Sequence, residues 1–317
     1  MSAPQSAAAS LPLISRIPGV AIVLAALVVG FGIMSPNFLS TGNISNILVQ
    51  STILLLVALP MTLIIMTEGL DLSAGAVLTF ASIILASVSI STGSVWIGVF
   101  AGLGAGLAFG VLNGSLIAFL GIPPFIVTLG TLGVAQGLSL VVTDGQSIVG
   151  IPAAIEGLYS TSVLGLPLPI IISALAYLLI HALLYHTRFG TYIFALGGNR
   201  EALRLAGVSD RKILVAVYSL GGLMVGFAAL LMTARMNAAH PTAAIGMEFD
   251  AIAAVAVGGT SFERGDGWLL GTLLGVLAVG VLRNGLNLLA IPSSVQVACI
   301  GGLVLVALLI DGLRSRT

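Results

Sequence analysis

The stretch Leu72–Thr143, LSAGAVLTFASIILASVSISTGSVWIGVFAGLGAGLAFGVLNGSLIAFLGIPPFIVTLGTLGVAQGLSLVVT, runs for 72 residues without one Asp, Glu, Lys or Arg. A bilayer core is about 30 Å thick and takes about 20 apolar residues per helix. This stretch therefore has room for three crossings, divided near Ser91–Ser94 and at Gly121-Ile-Pro-Pro124. Working outward, Arg16 and Glu68 enclose 51 uncharged residues, with the polar segment Ser35–Asn43 between two spans. Glu156 and Arg188 enclose 31, Lys212 and Arg235 enclose 22, and Arg283 and Asp311 enclose 27, one span each. Of 317 residues only 7% are charged, 58% are apolar, and 11 basic residues balance 11 acidic ones. Soluble domains carry about 25% charged residues, so an ordinary soluble enzyme is excluded. Zero net charge argues against a nucleic-acid binder.

The fold expected is an all-α membrane protein of about ten transmembrane helices. They fall near 17–34, 45–67, 72–91, 95–119, 125–142, 167–186, 212–233, 249–260, 267–289 and 294–311. The eighth rests on the short apolar run Ala251–Val257 and has the least length behind it. One membrane domain, 17–311, would lie between a tail at 1–16 and a tail at 312–317, with an inner loop at 187–211. Met1–Ser15 contains no Lys or Arg, unlike the start of a cleavable signal peptide, so a retained first helix behind Arg16 is expected. With both termini in the cytoplasm, Arg16, Arg188, Arg200, Arg204, Arg211, Lys212, Arg264, Arg314 and Arg316 face inward, leaving Arg235 and Arg283 outside. That imbalance matches the positive-inside rule.

Glycines suggest an internal repeat. Gly98, Gly102, Gly106, Gly110 and Gly114 stand four apart, as do Gly267, Gly271 and Gly275. A shift of 169 residues carries Gly98, Gly102 and Gly106 onto the second set, and one of 171 carries Asn113-Gly114 onto Asn284-Gly285. Each Asn-Gly is followed by an Ile-Pro, Ile122-Pro123 and Ile291-Pro292. Two five-helix halves at that offset would lie inverted across the bilayer, as in many transporters. The plainer reading is that such ladders only let helix backbones approach.

The polar features lie at helix ends. In the inner loop, Asn199 can cap a helix start, Glu201 sits in its first turn and Gly207 can end it. The enclosed helix, Arg200–Ala206, is too short to stand alone in water. It must pack on something through Ala202, Leu203 and Ala206, unless the loop is simply basic. Asp71 and Ser73 can cap the third span beside Glu68, and Glu248 and Asp250 precede the eighth on the opposite side. Helix capping competes there with a proton or ion site. Pro60 should kink the second span. His181, His186 and His240 lack paired-ligand spacing, Cys299 is the single cysteine, and there is no Gly-x-x-x-x-Gly-Lys-Ser/Thr. Neither catalytic residue nor metal site is expected in this chain.

Four motifs carry a family resemblance: Glu68-Gly-Leu-Asp-Leu-Ser-Ala-Gly75, Gly121-Ile-Pro-Pro-Phe-Ile-Val-Thr-Leu-Gly130, Gly197-Gly-Asn-Arg-Glu-Ala-Leu-Arg-Leu-Ala-Gly207 and Glu248-Phe-Asp-Ala-Ile-Ala-Ala-Val-Ala-Val-Gly-Gly-Thr260. From about Asn37 onward the chain resembles the permease subunits of ribose-type sugar ABC importers. The resemblance implies a ten-helix permease of the bacterial inner membrane, paired with itself or a relative. A cytoplasmic ATPase subunit would bind the ATP and Mg, and a periplasmic sugar-binding protein would deliver the solute. The family's inner coupling segment maps onto Gly198, Asn199, Arg200, Glu201, Ala202, Leu203, Arg204, Leu205, Ala206 and Gly207. The sequence departs from the family pattern at Glu68 and Arg264, where the family tends to have Gly.

The expected activity is ATP-driven uptake of a monosaccharide or related polyol. Asn113, Thr128, Gln136 and Asn284 are candidates to line the path, being cheap to bury only when hydrogen-bonded. Two other readings stay open. One is an ion-driven secondary transporter protonated at Glu68, Asp71 or Asp250; the other is an ABC permease for branched-chain amino acids.

Overall fold

The computed structural model describes residues 19–261 and 265–314. Its helices are α1 (Gly19–Met34), α2 (Thr41–Met66), α3 (Ala74–Thr92), α4 (Val95–Leu120), α5 (Pro124–Thr143), α6 (Ala153–Ser160), α7 (Leu168–His186), α8 (Arg188–Gly198), α9 (Arg200–Leu205), α10 (Asp210–Met236), α11 (Met247–Val257), α12 (Leu269–Leu288) and α13 (Ser293–Arg314). Between α6 and α7, β1 (Ser162–Val163) and β2 (Leu166–Pro167) form a small antiparallel hairpin. The tail at 1–16, Arg264 and Arg316 lie outside the described residues.

Seven of these helices, α2, α3, α4, α5, α7, α10 and α12, are long and apolar enough to cross a membrane. The chain is thus an all-α, multi-pass membrane protein. Two shorter apolar helices, α1 and Ser293–Leu305 of α13, fall where the first and last spans are expected. The second span begins earlier than apolarity alone suggests, because a polar side chain caps it. The Ser40 hydroxyl accepts from the Asn43 amide, so α2 opens at Thr41 instead of 45. Ser94 caps α4 through Ile97, and that span opens at Val95 as expected.

The second span is the axis of the fold. From Ser51 to Met66 every residue of α2 is buried, against α7, α10, α11 and α12. Helix α7 sits at the periphery, with Leu175, Leu178 and Leu179 exposed. The α4 glycine ladder turns out to have two partners. Side chains added at Gly98 or Gly102 would strike Ser89 or Leu85 of α3, while at Gly106, Gly110 and Gly114 they would strike the backbone of α10. Helical geometry explains the switch: each step of four residues turns the ladder about 40°, so Gly114 faces about 160° away from Gly98.

The eighth expected span needs correcting. Helix α11 has 11 residues, about 16 Å of rise, or half the bilayer core. The remainder is non-helical. After Asn237 ends α10, Ile148 and Ala239 form a β-bridge, Gln136 donates to the Pro241 carbonyl, and the Ala244 amide donates to the Thr79 hydroxyl inside α3. Irregular backbone at membrane depth persists only where protein groups satisfy it, and these contacts do so. The segment delivers Met247 beside the start of α3, where the Glu248 carboxylate occupies the space a Gly75 side chain would need. Helix α11 then runs back along α12, its Ala254 and Gly258 against Gly275 and Gly271. Two helix N-termini therefore meet inside the protein.

Candidate functional site

The segment resembling a coupling loop folds as two short helices. Thr187 caps α8 by accepting from Gly190, and α8 ends seated on α2. Gly197 touches the Met66 carbonyl and the backbone of Gly265, leaving no room for a side chain. Asn199 then starts α9, its Oδ1 accepting from the Ala202 amide at 2.8 Å. The turn closes at Gly207, whose φ of +79° is in the left-handed region that glycine adopts without penalty.

What holds this six-residue helix is Asp210, the first residue of α10. Its Oδ2 accepts from Arg200 Nε at 2.7 Å and from Arg204 Nη2 at 2.6 Å. The Asp210 side chain is only 7% exposed, whereas those of Arg200 and Arg204 are 46% and 57% exposed. Hydrogen bonding to Asp210 raises the Arg204 guanidinium above its ordinary range. Of the small apolar face, Leu203 alone turns inward; Ala202 and Ala206 stay exposed with Leu205, which is 84% exposed. Gly198 and Glu201 are exposed as well. The α9 helix is thus anchored from beneath and bare on top.

The second group surrounds residues 67–73. Asp71 Oδ1 accepts from the Ser73 amide and hydroxyl at 2.9 and 2.6 Å. Asn113 Nδ2 donates to the Ser73 hydroxyl at 3.0 Å. The Leu70 carbonyl accepts from Thr128 and Tyr218 at 3.2 and 3.3 Å. Ser73 stands at the N-cap position of α3 yet caps nothing with its side chain; its hydroxyl serves Asp71 instead. The structure thus gathers Asp71, Ser73, Asn113 and Thr128 in one buried network. Gln136 is elsewhere, on Pro241, and Asn284 shares a buried reciprocal amide pair with Asn43 of α2. Thr128 and Asn284 spend their polar atoms on contacts within the chain, whereas Asn113 donates through Nδ2 and leaves its buried Oδ1 without a partner.

Glu68 is exposed with a φ of +59°. A side chain in that region costs about 1–2 kcal/mol, which glycine avoids. The E68G variant should therefore gain roughly 1 kcal/mol, read as a higher unfolding temperature in detergent. An unchanged or lower value would mean that the Glu68 carboxylate has a compensating role.

Asp250 and Arg283 form an ion pair that the sequence reading kept apart. Arg283 lies within α12, inside the span expected at 267–289. The available signal was a lone cation in an apolar span, which is a functional flag in itself. Tyr218, Thr79 and Asn43 were missed because a single polar side chain in an apolar run names no partner. Among the described residues no three His, Cys, Asp or Glu side chains gather to hold a metal ion.

Residues 43–308 match the family described as "Branched-chain amino acid transport system / permease component". The ribose import permease protein of Bacillus subtilis is 40% identical over 91% of this chain and 90% of its own length. The D-allose transport system permease protein of Escherichia coli is 35% identical over 94% and 92%, and the galactose/methyl galactoside import permease protein of Haemophilus influenzae is 33% identical over 88% and 89%. No solved structure matches the chain. With end-to-end identity of this order and a multi-pass helical fold, the chain belongs to the ribose-type permeases of ABC importers, their membrane-spanning transport subunits.

Proposed function

We propose that this protein is the membrane channel of an ATP-driven importer for a neutral monosaccharide or related polyol, delivered by a periplasmic binding protein. Two permease chains work together in the inner membrane, both termini of each in the cytoplasm, and a partner ATPase binds the ATP and Mg. The observation that carries the coupling role is α9, with Arg200 and Arg204 fixed to Asp210 and Ala202, Leu205 and Ala206 left bare. A helix so held transmits a push to α10 instead of folding away from it. Identity with ribose, allose and galactoside permeases supports a sugar as the solute.

An inverted repeat within about ten helices fits the packing. Helix α4 lies on α3 and on α10, and α12 lies on α11 and on α2, so the two sets exchange partners in the same way. Glu68, Asp71, Ser73, Glu248 and Asp250 belong to the helix starts at the centre of that exchange. Asp71 holds the turn before α3 through Ser73, and Glu248 holds the turn before α11 through the Gly246 amide.

Reconstituted vesicles test the reading. Uptake of D-ribose, D-allose or D-galactose should require the ATPase, ATP and the binding protein together. Uptake by this chain alone under a proton gradient would make it a secondary transporter. Competition by leucine and not by sugars would make it an amino-acid permease. The sidedness is checked with R204C in a C299S background, which should react with a membrane-impermeant thiol reagent only from the cytoplasmic side.

A further inference from the structure

One pair of charges inside the membrane domain is left without a structural reason. Asp250 sits in the first turn of α11, next to the Glu248 that abuts Gly75. Arg283 is five residues short of the end of α12, about 7 Å within it. That count puts the guanidinium within the span. A charged side chain facing lipid there is costly, and such residues face a protein interior or a water-filled cavity.

The exposures decide between those two. The Asp250 side chain is 10% exposed and that of Arg283 is 41% exposed. Arg283 Nη2 donates to Asp250 Oδ2, while Nε is buried with no acceptor. The pair is therefore seated at its acidic end and open at its basic end. Bonded to each other, the two charges sum to zero, so the pair favours neither an anionic nor a cationic solute. The guanidinium keeps a planar set of donors and the carboxylate keeps lone pairs. A hydroxyl group both donates and accepts, so two adjacent hydroxyls can bridge such a pair at once. Apolar solutes offer nothing in return for displacing its water.

We infer that Arg283 and Asp250 form a contact station on the transport path, taking a neutral solute that carries adjacent hydroxyls. The inference rests on the importer reading and names residues that reading does not need. Thiol access is the first test. A D250N/R283C/C299S variant, which removes both charges together, should react with a water-soluble cationic methanethiosulfonate reagent in the assembled importer. A thiol that no aqueous reagent reaches overturns the station, because lipid or a second copy would then cover it.

R283K is the second test, since it keeps the charge and the ion pair but loses the fork. Its maximal uptake of D-ribose, D-allose or D-galactose should fall on the order of tenfold at normal membrane levels, the size of one lost polar contact. Unchanged uptake by R283K, or failure of that variant to accumulate, assigns the pair to structure and overturns the inference. The importer reading fails separately, if unmutated vesicles need no ATPase or carry none of these sugars.

Discussion

Replacing Arg200 and Arg204 together with Glu should cut ATP-driven uptake by roughly tenfold or more, the size expected when coupling between two sites is lost. The seven long helices should remain inserted, because both arginine side chains are about half exposed and touch no span except through Asp210. In the variant, three carboxylates crowd where one now accepts two guanidinium groups, and α9 loses its anchor. Its intrinsic stability cannot replace that anchor, since six residues are far below the length of a stable isolated helix. Uptake measured in vesicles alongside membrane levels gives the answer. Adding D210R should restore part of the loss by re-forming the pairs with reversed sign. The recovery stays partial because a cation at a helix N-terminus opposes the dipole. Full uptake by the double variant would remove α9 from the coupling route.

The second large effect belongs to Gly110. A Cβ there would lie 3.0 Å from both Gly222 N and Cα and closer still to the Tyr218 carbonyl. These are backbone atoms, which cannot rotate aside as a side-chain tip does. Even G110A must push α4 and α10 apart, and G110L should lose more than about 3 kcal/mol, beyond the usual overpacking range. Without a strong hydrophobic drive in lipid, close packing is what joins these helices. Gly104 supplies the contrast, with nothing within 4 Å of its Cβ position. G104A should be neutral or gain up to about 1 kcal/mol from helix propensity. Unfolding temperatures of the purified variants decide it, and equal values for G110A and G104A would mean that the α4–α10 contact is looser than described.

Most long spans were legible because charge-free intervals wide enough for the bilayer hold them, α12 with its Arg283 being the exception, and the α9 cap because Asn199 precedes a helix-forming run. The family likeness was legible from four motifs. What escaped the sequence is whatever depends on which partner a residue meets. The ladder on α4 gave its period but not its division between α3 and α10. The run Ala251–Val257 gave apolarity but not the inward excursion of 237–246, since a backbone satisfied by Thr79 and Gln136 leaves no local signature. The pairing of Asn284 with Asn43, 241 positions away, left no local trace. Nor did that of Arg283 with Asp250, 33 positions away.

The exchange of helices between the two ends of the chain bears on how it could be made. Helix α4 finds much of its glycine-matched surface on α10, and α12 finds much of its own on α2 and α11. An amino-terminal fragment released into lipid would present a bare notched groove, and in a carboxy-terminal fragment the 11 residues of α11 would keep α12 and α13 but lose α2 and α3. Helix α12 therefore completes the surroundings of α1, made at the other end of the chain, and severed pieces would regain order only by finding one another within the bilayer.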